Sequence, residues 1–414
     1  MHPSGPTAQR FPLVPRIRPA CLPLNARVGR LTELADTAAR RADAGLASTV
    51  LNQTALLASD LDLPDDARAL CHRHAALYLT RGPLTAASTI RALEPIVNLA
   101  RLHLRVGRHQ HGHQLLLDLY RAVTTATETT LDGITVPAAL TETDEQRAEV
   151  RAWLWRVVIA DGTRALTAAG RWQDALRHIE EHRGIGRRIL DGRQTAVLAA
   201  ATTGDHPTAL ALLRDTEPGA PWENAVTAAL TALCRPADRH AAEHAADLWT
   251  ALEPGDGLAV FTTRLALTVL DATEPATPAA CHLVRSAVIR TGESGDGYAL
   301  RDLLAHPAVR STLDEDRAGA LEQALAACAL GSRSLPERAR KPLDAAVDSA
   351  AQVLENAPFD PGAPGGDPLE RRPPDPPTST PRPLSSITQH ALKYRDLTFR
   401  PVRPDHPVTP DTEP

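Results

Sequence analysis

From Val28 onward, apolar side chains recur at spacings of three and four, beginning with Val28, Leu31, Leu34, Ala35 and Ala38. That spacing puts them on one face of a helix. A second such stretch covers residues 47–57, and a third opens at Ala67, behind the turn Asp60-Leu61-Asp62-Leu63-Pro64-Asp65-Asp66. Pro64 needs no amide partner in a first helical turn, and the carboxylates after it favour the positive end of the helix dipole. Gly82-Pro83 and Gly107 separate helices predicted over 85–105 and 109–127. Residues 128–142, with Gly133 and Pro137 among threonines, read as a loop. Thr143-Asp144-Glu145-Gln146 reads as a capping box and opens a long helix with Val150, Leu154, Val157 and Val158 on one face.

Beyond Gly170 the predicted helices shorten. Breaks such as Gly184-Ile185-Gly186, Gly204-Asp205, Glu217-Pro218-Gly219, Arg235-Pro236 and Glu274-Pro275 recur every 15–20 residues, the rhythm of helical hairpins. Two turns are alike. Gly170-Arg171-Trp172-Gln173-Asp174-Ala175-Leu176 and Gly204-Asp205-His206-Pro207-Thr208-Ala209-Leu210 both read Gly, four spacers, Ala-Leu, and they lie 34 residues apart. This resembles the inter-helix turn of tetratricopeptide repeats, with Trp172 in the aromatic slot and His206 in the same place one repeat on. The resemblance covers two turns well and the remaining helices loosely. It implies an all-helical array that binds partners.

Composition agrees. Aromatic residues are only 3% of the chain, so Ala, Leu and Val must build the core, and the first two head the helix-propensity ranking. Lysine occurs only at Lys341 and Lys393; arginine supplies the positive charge, a codon signature of a high-GC genome of the actinobacterial kind. A formal net charge of −5 argues against a broad nucleic-acid surface. The first 30 residues differ: Arg10, Arg16, Arg18, Arg27 and Arg30 precede the first acid, Glu33, and could meet an acidic partner. The five cysteines are odd in number and widely spaced, as in a reducing compartment. No signal peptide or 18-residue apolar run is evident, so a cytoplasmic location is expected. After Glu355 the composition shifts. Residues 356–414 hold 15 of the 35 prolines and read as disordered, apart from an amphipathic island at 386–397 that would serve as a partner motif or plug the protein's own groove.

Candidate chemistry is sparse. His178-Ile179-Glu180-Glu181-His182 matches the H-x-x-E-H zinc-hydrolase pattern, in which two histidines four apart bind metal and the glutamate activates water. The repeat turn instead places this helix against a neighbour, and no third ligand is evident. His109, His111 and His113 alternate, so all three would converge only in an extended segment; a solvated helix start also accounts for them. Asp60, Asp62, Asp65 and Asp66 lack the spacing of a cation loop. Residues 153–193 are the most distinctive stretch. Trp153, Trp155 and Trp172 lie there, Asp161-Gly162 interrupts a helix with Arg164 one turn on, and Arg183, Arg187, Arg188 and Arg193 gather with Asp191 around Gly184-Ile185-Gly186. That cluster could bind an anion; a buried Asp161–arginine pair bracing two hairpins is the structural alternative.

The expected fold is therefore all-α: a tetratricopeptide-like α-solenoid of antiparallel helical hairpins with disordered termini. A disordered basic arm covers 1–26, N-terminal hairpins 27–128, repeats 143–355 and a disordered Pro-rich tail 356–414. The expected function is a non-enzymatic interaction or scaffold protein holding a peptide or partner helix in a groove, through Trp172, Arg183, Arg187, Arg188, Asp161 and Arg164. The alternatives are a ligand- or peptide-responsive regulator without its own DNA-binding domain, and a zinc hydrolase using His178, Glu181 and His182. A protein or peptide partner is expected, and no cofactor, membrane or nucleic acid.

Overall fold

Helix-forming and helix-breaking residues alternate along most of the chain, and the computed structural model is accordingly mostly helical. It describes residues 1–357 except Ala237 and Pro254, so the amphipathic segment 386–397 lies outside the described residues. A short helix α1 (Pro6–Gln9) precedes α2 (Leu24–Arg41), α3 (Ala44–Asp60), α4 (Pro64–Leu79), α5 (Ala86–Arg105) and α6 (His109–Thr125). Strands β1 (Thr129–Leu131) and β2 (Ile134–Val136) follow, then α7 (Asp144–Val157), a π-helical turn (Val158–Gly162), α8 (Thr163–Ala168) and α9 (Trp172–Glu181). The remainder runs through α10 (Asp191–Thr202), α11 (His206–Arg214), α12 (Pro221–Cys234), α13 (Arg239–Thr250), α14 (Ala259–Ala272) and α15 (Pro278–Ser294). It ends with α16 (Gly297–Leu304), α17 (Pro307–Arg310), α18 (Glu315–Ala327) and α19 (Glu337–Asn356).

Local chemistry sets the ends of these elements. Pro64 opens α4 with Asp65 and Asp66 in its first turn. Thr143 Oγ1 accepts the Gln146 amide, but the Gln146 side chain reaches back to the amide of Glu142, one residue earlier than a capping box requires. Gly170 and Gly204 take φ of +72° and +85° at the ends of their helices, a region side chains rarely enter. Behind each turn a fully buried alanine, Ala175 or Ala209, lets the next helix pack close.

The stretch 128–142 is not a plain loop. β1 and β2 pair antiparallel, Thr129 opposite Val136 and Leu131 opposite Ile134. Asp132 and Gly133 turn between them, both at positive φ, as the twist of a two-residue hairpin demands. Leu131, Ile134 and Val136 are buried in the core of α3–α7.

From α2 to α17 successive helices pack against one another, through the π-helical turn between α7 and α8, and the N-terminal arm and α19 pack back onto other parts of the described structure. Helix α19 lies against α2 and α3. Its face Ala346, Val347, Ala350 and Leu354 shares a core with Ala35, Ala38, Val50 and Leu51. Residues 1–26, expected to be a disordered basic arm, are also ordered, the last three within α2. Ala8, Phe11 and Leu13 are buried in the core of α9–α16. The fully buried Gln194 side chain accepts the Leu13 amide at 2.6 Å and donates to the Leu13 and Ile189 carbonyls at 2.8 Å each. The basic residues of the arm find their acids inside the same chain: Arg10 on Asp271 at 2.5 Å, Arg16 on Asp191 at 2.7 Å and Arg27 on Asp60 at 2.6 Å. Enough apolar area and satisfied backbone therefore offset the ordering entropy that a Pro-rich, aperiodic segment must overcome.

Two predictions follow from these contacts. Gln194→Ala leaves three buried backbone groups without a partner, at about 1–3 kcal/mol each before relaxation. Trypsin should then cut after Arg10 and Arg16 much faster in native protein than in wild type; an unchanged cleavage rate would show that Gln194 does not hold the arm. His74 gives a pH dependence. Its Nε2 lies 2.8 Å from the Ser48 hydroxyl, and burial, helped by the Arg91 charge, pushes its pKa down to about 3 from 6.5. Below pH 6.5 the unfolded chain binds a proton that the folded one refuses. Stability is intact above that pH and falls by about 1.4 kcal/mol per pH unit toward pH 3. Urea midpoints between pH 7 and 4.5 should drop less steeply in His74→Gln than in wild type; equal slopes would refute the assignment.

Candidate functional site

The arginines gathered around Gly184-Ile185-Gly186 meet the α11–α12 connection. Helix α9 ends at Glu181, and Arg183, two residues on, takes φ +52° and is exposed. The Arg187 carbonyl accepts the Glu217 amide at 2.9 Å, and its guanidinium pairs with Glu217 at 3.1 Å, both side chains largely in solvent. Arg188 grips Glu223 with both its Nε and an Nη. Glu223 is buried in the first turn of α12 and also accepts the Ala220 amide at 3.2 Å. Arg193 donates to the Leu212 carbonyl at 2.7 Å and fixes the end of α11.

Two open depressions adjoin here and share the wall Thr216-Glu217-Pro218. One, of about 570 Å³, is lined by Arg187, Arg193 and Arg214 and by the acids Asp215 and Glu217. The other, of about 350 Å³, runs between α12 and α13. Asn224, Thr227, Ala228 and Thr231 line it from α12, and Ala241, His244 and Leu248 from α13. These spacings of three and four are one face of each helix. The hydroxyls of Thr227 and Thr231 bond back to the carbonyls of Glu223 and Thr227 at 2.8 Å, so these residues offer methyl groups to the furrow. The result is a small-residue trough whose end carries three arginines and two acids.

Trp172 does not line this furrow. It is 2% exposed, and its Nε1 donates to the Pro3 carbonyl at 2.9 Å beneath the N-terminal arm. The aromatic slot of the turn is a packing position. Asp161 and Arg164 are buried too. Asp161 receives two bonds from Arg101 of α5, Nε to Oδ1 at 3.3 Å and Nη2 to Oδ2 at 2.8 Å, so its buried arginine partner is Arg101. Arg164 borders a cavity of about 30 Å³ with Arg10, Arg16, Arg18 and Arg264, room for one water-sized occupant.

The π-helical turn at Asp161-Gly162 organises the H-x-x-E-H histidines. His178 Nε2 donates to the Val158 carbonyl of that turn at 3.0 Å. Its Nδ1 then accepts from His113 Nε2 at 3.3 Å, which fixes both tautomers. Burial lowers the pKa of His178, and burial, with the repulsion a second imidazolium would meet beside His178, brings His113 to about 4. His182 turns its Nδ1 to the His178 carbonyl at 2.8 Å, and Glu181 is exposed. With both nitrogens of His178 engaged, this helix lacks the pair of free imidazoles a zinc hydrolase needs.

The acidic turn after α3 likewise does not converge on a cation. Asp60 pairs with Arg27 and Arg105, Asp62 with Arg333 at 2.8 Å, and Asp66 with Arg340 at 3.6 Å.

A different histidine group is brought together. His103, His111 and Asp132 place one ligand atom each within 4.8 Å of one another. His103 Nε2 lies 3.0 Å from Asp132 Oδ2, and the His103 and His111 rings meet edge to face at 4.2 Å. Arg68 donates to Asp132 Oδ1 at 2.9 Å. Burial opposes ionisation of Asp132, but the bonds from Arg68 and His103 outweigh it and hold its pKa below the ordinary carboxylate range. Of the alternating histidines, only His111 joins this group. His103, in the apolar run Leu102-His103-Leu104, and Asp132, in an Asp-Gly hairpin turn, were the signals available in sequence.

A Cβ at Gly162 would lie 2.8 Å from His178 Nε2 and 3.6 Å from His113 Cδ2. Helix propensity alone favours Gly162→Ala by about 1 kcal/mol. Crowding the His178 bond should reverse the sign and cost about 1–3 kcal/mol. Thermal unfolding reads the difference: a lower Tm is expected, and a higher one would mean that His178 is not held against the turn. No protein-family model, curated protein or solved structure matches this chain.

Proposed function

We propose that the protein is a non-enzymatic interaction protein, a tetratricopeptide-like solenoid of helical hairpins that docks a short helix or peptide in the furrow between α12 and α13. The continuity of that furrow carries the reading. Its floor of alanine and threonine methyls between His244 and Leu248 suits small apolar side chains at every third or fourth position. At its end Arg187, Arg193 and Arg214 outnumber Asp215 and Glu217, and this excess of positive charge suits carboxylates on one end of the ligand. Of the residues expected to bind a partner, Arg187 lines the furrow directly; Arg183 is exposed at the end of α9, and Arg188 supports the wall through Glu223. Trp172, Asp161 and Arg164 act behind it as packing and bracing groups.

The order of the helices supports a solenoid. Helix α12 touches α13 and α14, and α14 touches α15 and α16, so neighbours one and two places apart in sequence share surfaces. Helix α19 covers α2 and α3, the start of the series, as a capping unit does in such arrays.

The test is selection of displayed helical peptides on the full-length protein. Enriched peptides should carry apolar residues three or four apart and an acidic end. Their affinity should fall at least tenfold in the double variant Arg187→Glu/Arg214→Glu and in Asn224→Trp, which fills the furrow from an exposed position. It should also weaken with added salt. Peptides that bind Asn224→Trp as well as wild type would refute the reading.

A further inference from the structure

We propose that His103, His111 and Asp132 form a binding site for one divalent transition-metal ion of the zinc class, tying the β1–β2 hairpin to the junction of α5 and α6. The donor set is two imidazole nitrogens and one carboxylate oxygen, which suits zinc, cobalt or nickel over magnesium or calcium. Three consecutive elements, α5, α6 and the hairpin, deliver it. His103 ends α5 and is buried; His111 lies in the first turn of α6 and is exposed; Asp132 is at the tip of the hairpin.

The chain is shaped to bring these groups together. Gly107 turns at φ +76° between α5 and α6. Gly112, next to His111, lets α6 approach so closely that a Cβ there would collide with Leu104 Cδ1 and lie 2.7 Å from the Ala100 carbonyl. That approach sets the His111 ring against His103. Asp132 adopts φ +49°, a conformation Asp tolerates better than most residues, and backbone pairing on both sides fixes it there. Arg68 occupies only Oδ1, which orients the carboxylate and leaves Oδ2 toward the histidines. A hydrogen-bonded outer partner of this kind is what metal-ligating carboxylates ordinarily have. Because His111 is exposed, water can complete the coordination sphere on its side.

A purely polar staple would need only the His103–Asp132 hydrogen bond and would give His111 no role. His111 therefore decides between the two. Full-length protein stripped with a chelator would be titrated with Zn²⁺ by calorimetry and with Co²⁺ by visible absorption. Wild type should bind one equivalent, show ligand-field bands with Co²⁺ and melt at a higher temperature with Zn²⁺. His111→Ala, at an exposed position where folding is not at stake, should weaken binding at least tenfold and abolish both the bands and the shift. Asp132→Asn should do the same, and His240→Ala, at an exposed histidine of α13, should not. Wild type without a stoichiometric equivalent, or His111→Ala binding as wild type does, would overturn the proposal.

Discussion

The Asp60 carboxylate is the point on which the closed arrangement of this chain depends. It is buried at the end of α3 and faces Arg27 from α2 at 2.6 Å, Arg105 from the end of α5 at 2.9 Å and the Tyr298 hydroxyl from α16 at 2.5 Å. Burial alone would raise its pKa; the two guanidiniums and the hydroxyl outweigh that and hold it below the ordinary range. The same burial pushes the Tyr298 hydroxyl well above its usual value, so the phenol remains a donor. Burying a carboxylate costs several kcal/mol, and only a complete set of partners offsets it. Those partners come from both halves of the molecule, 238 residues apart in the case of Tyr298.

Further contacts converge on this knot. Arg18 of the N-terminal arm stacks over the Tyr298 ring at 4.4 Å, and the Gly297 amide donates to the Cys21 carbonyl at 2.8 Å. The Gly331 and Arg333 amides donate to the carbonyls of Asp60 and Leu61, which delivers α19 to α2 and α3. A helical array whose units touch only their neighbours would open and twist freely along its length. Here the N-terminal arm is joined to α8 and α14, and α19 to α2 and α3, so α12 and α13, and the α5–α6 junction with its hairpin, sit on a framework held by contacts distant in sequence. Rigid presentation is what a peptide furrow and a metal site both require.

Much of the helical framework was legible in the sequence because its signals are local. Gly170, Gly204, Pro64 and the Thr143 cap act within a few residues, and the π-helical turn was foreshadowed by Gly162 inside a helical stretch. The N-terminal arm was not legible. Phe11 and Leu13 follow no period, and their polar partners Gln194, Asp191 and Asp271 lie at least 175 residues away. Trp172 shows the same limit: the turn predicts an aromatic residue there but not the arm that covers it. The hairpin was misread although Thr129-Thr130-Leu131 and Ile134-Thr135-Val136 flank an Asp-Gly turn, the strongest short hairpin signal. With the hairpin went Asp132, and hence the histidine group. The Arg187–Arg188 cluster was visible as charge, but only folding shows Glu217 and Glu223 as its partners.

The most direct test of the closed arrangement is a double-mutant cycle between Asp60→Asn and Tyr298→Phe in the full-length protein. Urea unfolding would be followed by both tryptophan fluorescence and helical circular dichroism. The two residues should be coupled by at least about 1 kcal/mol, within the range for groups sharing one buried network, with the two probes reporting one transition. Effects that add to within about 0.5 kcal/mol, or probes that separate in wild type, would mean that the two halves fold independently and that Asp60 does not join them.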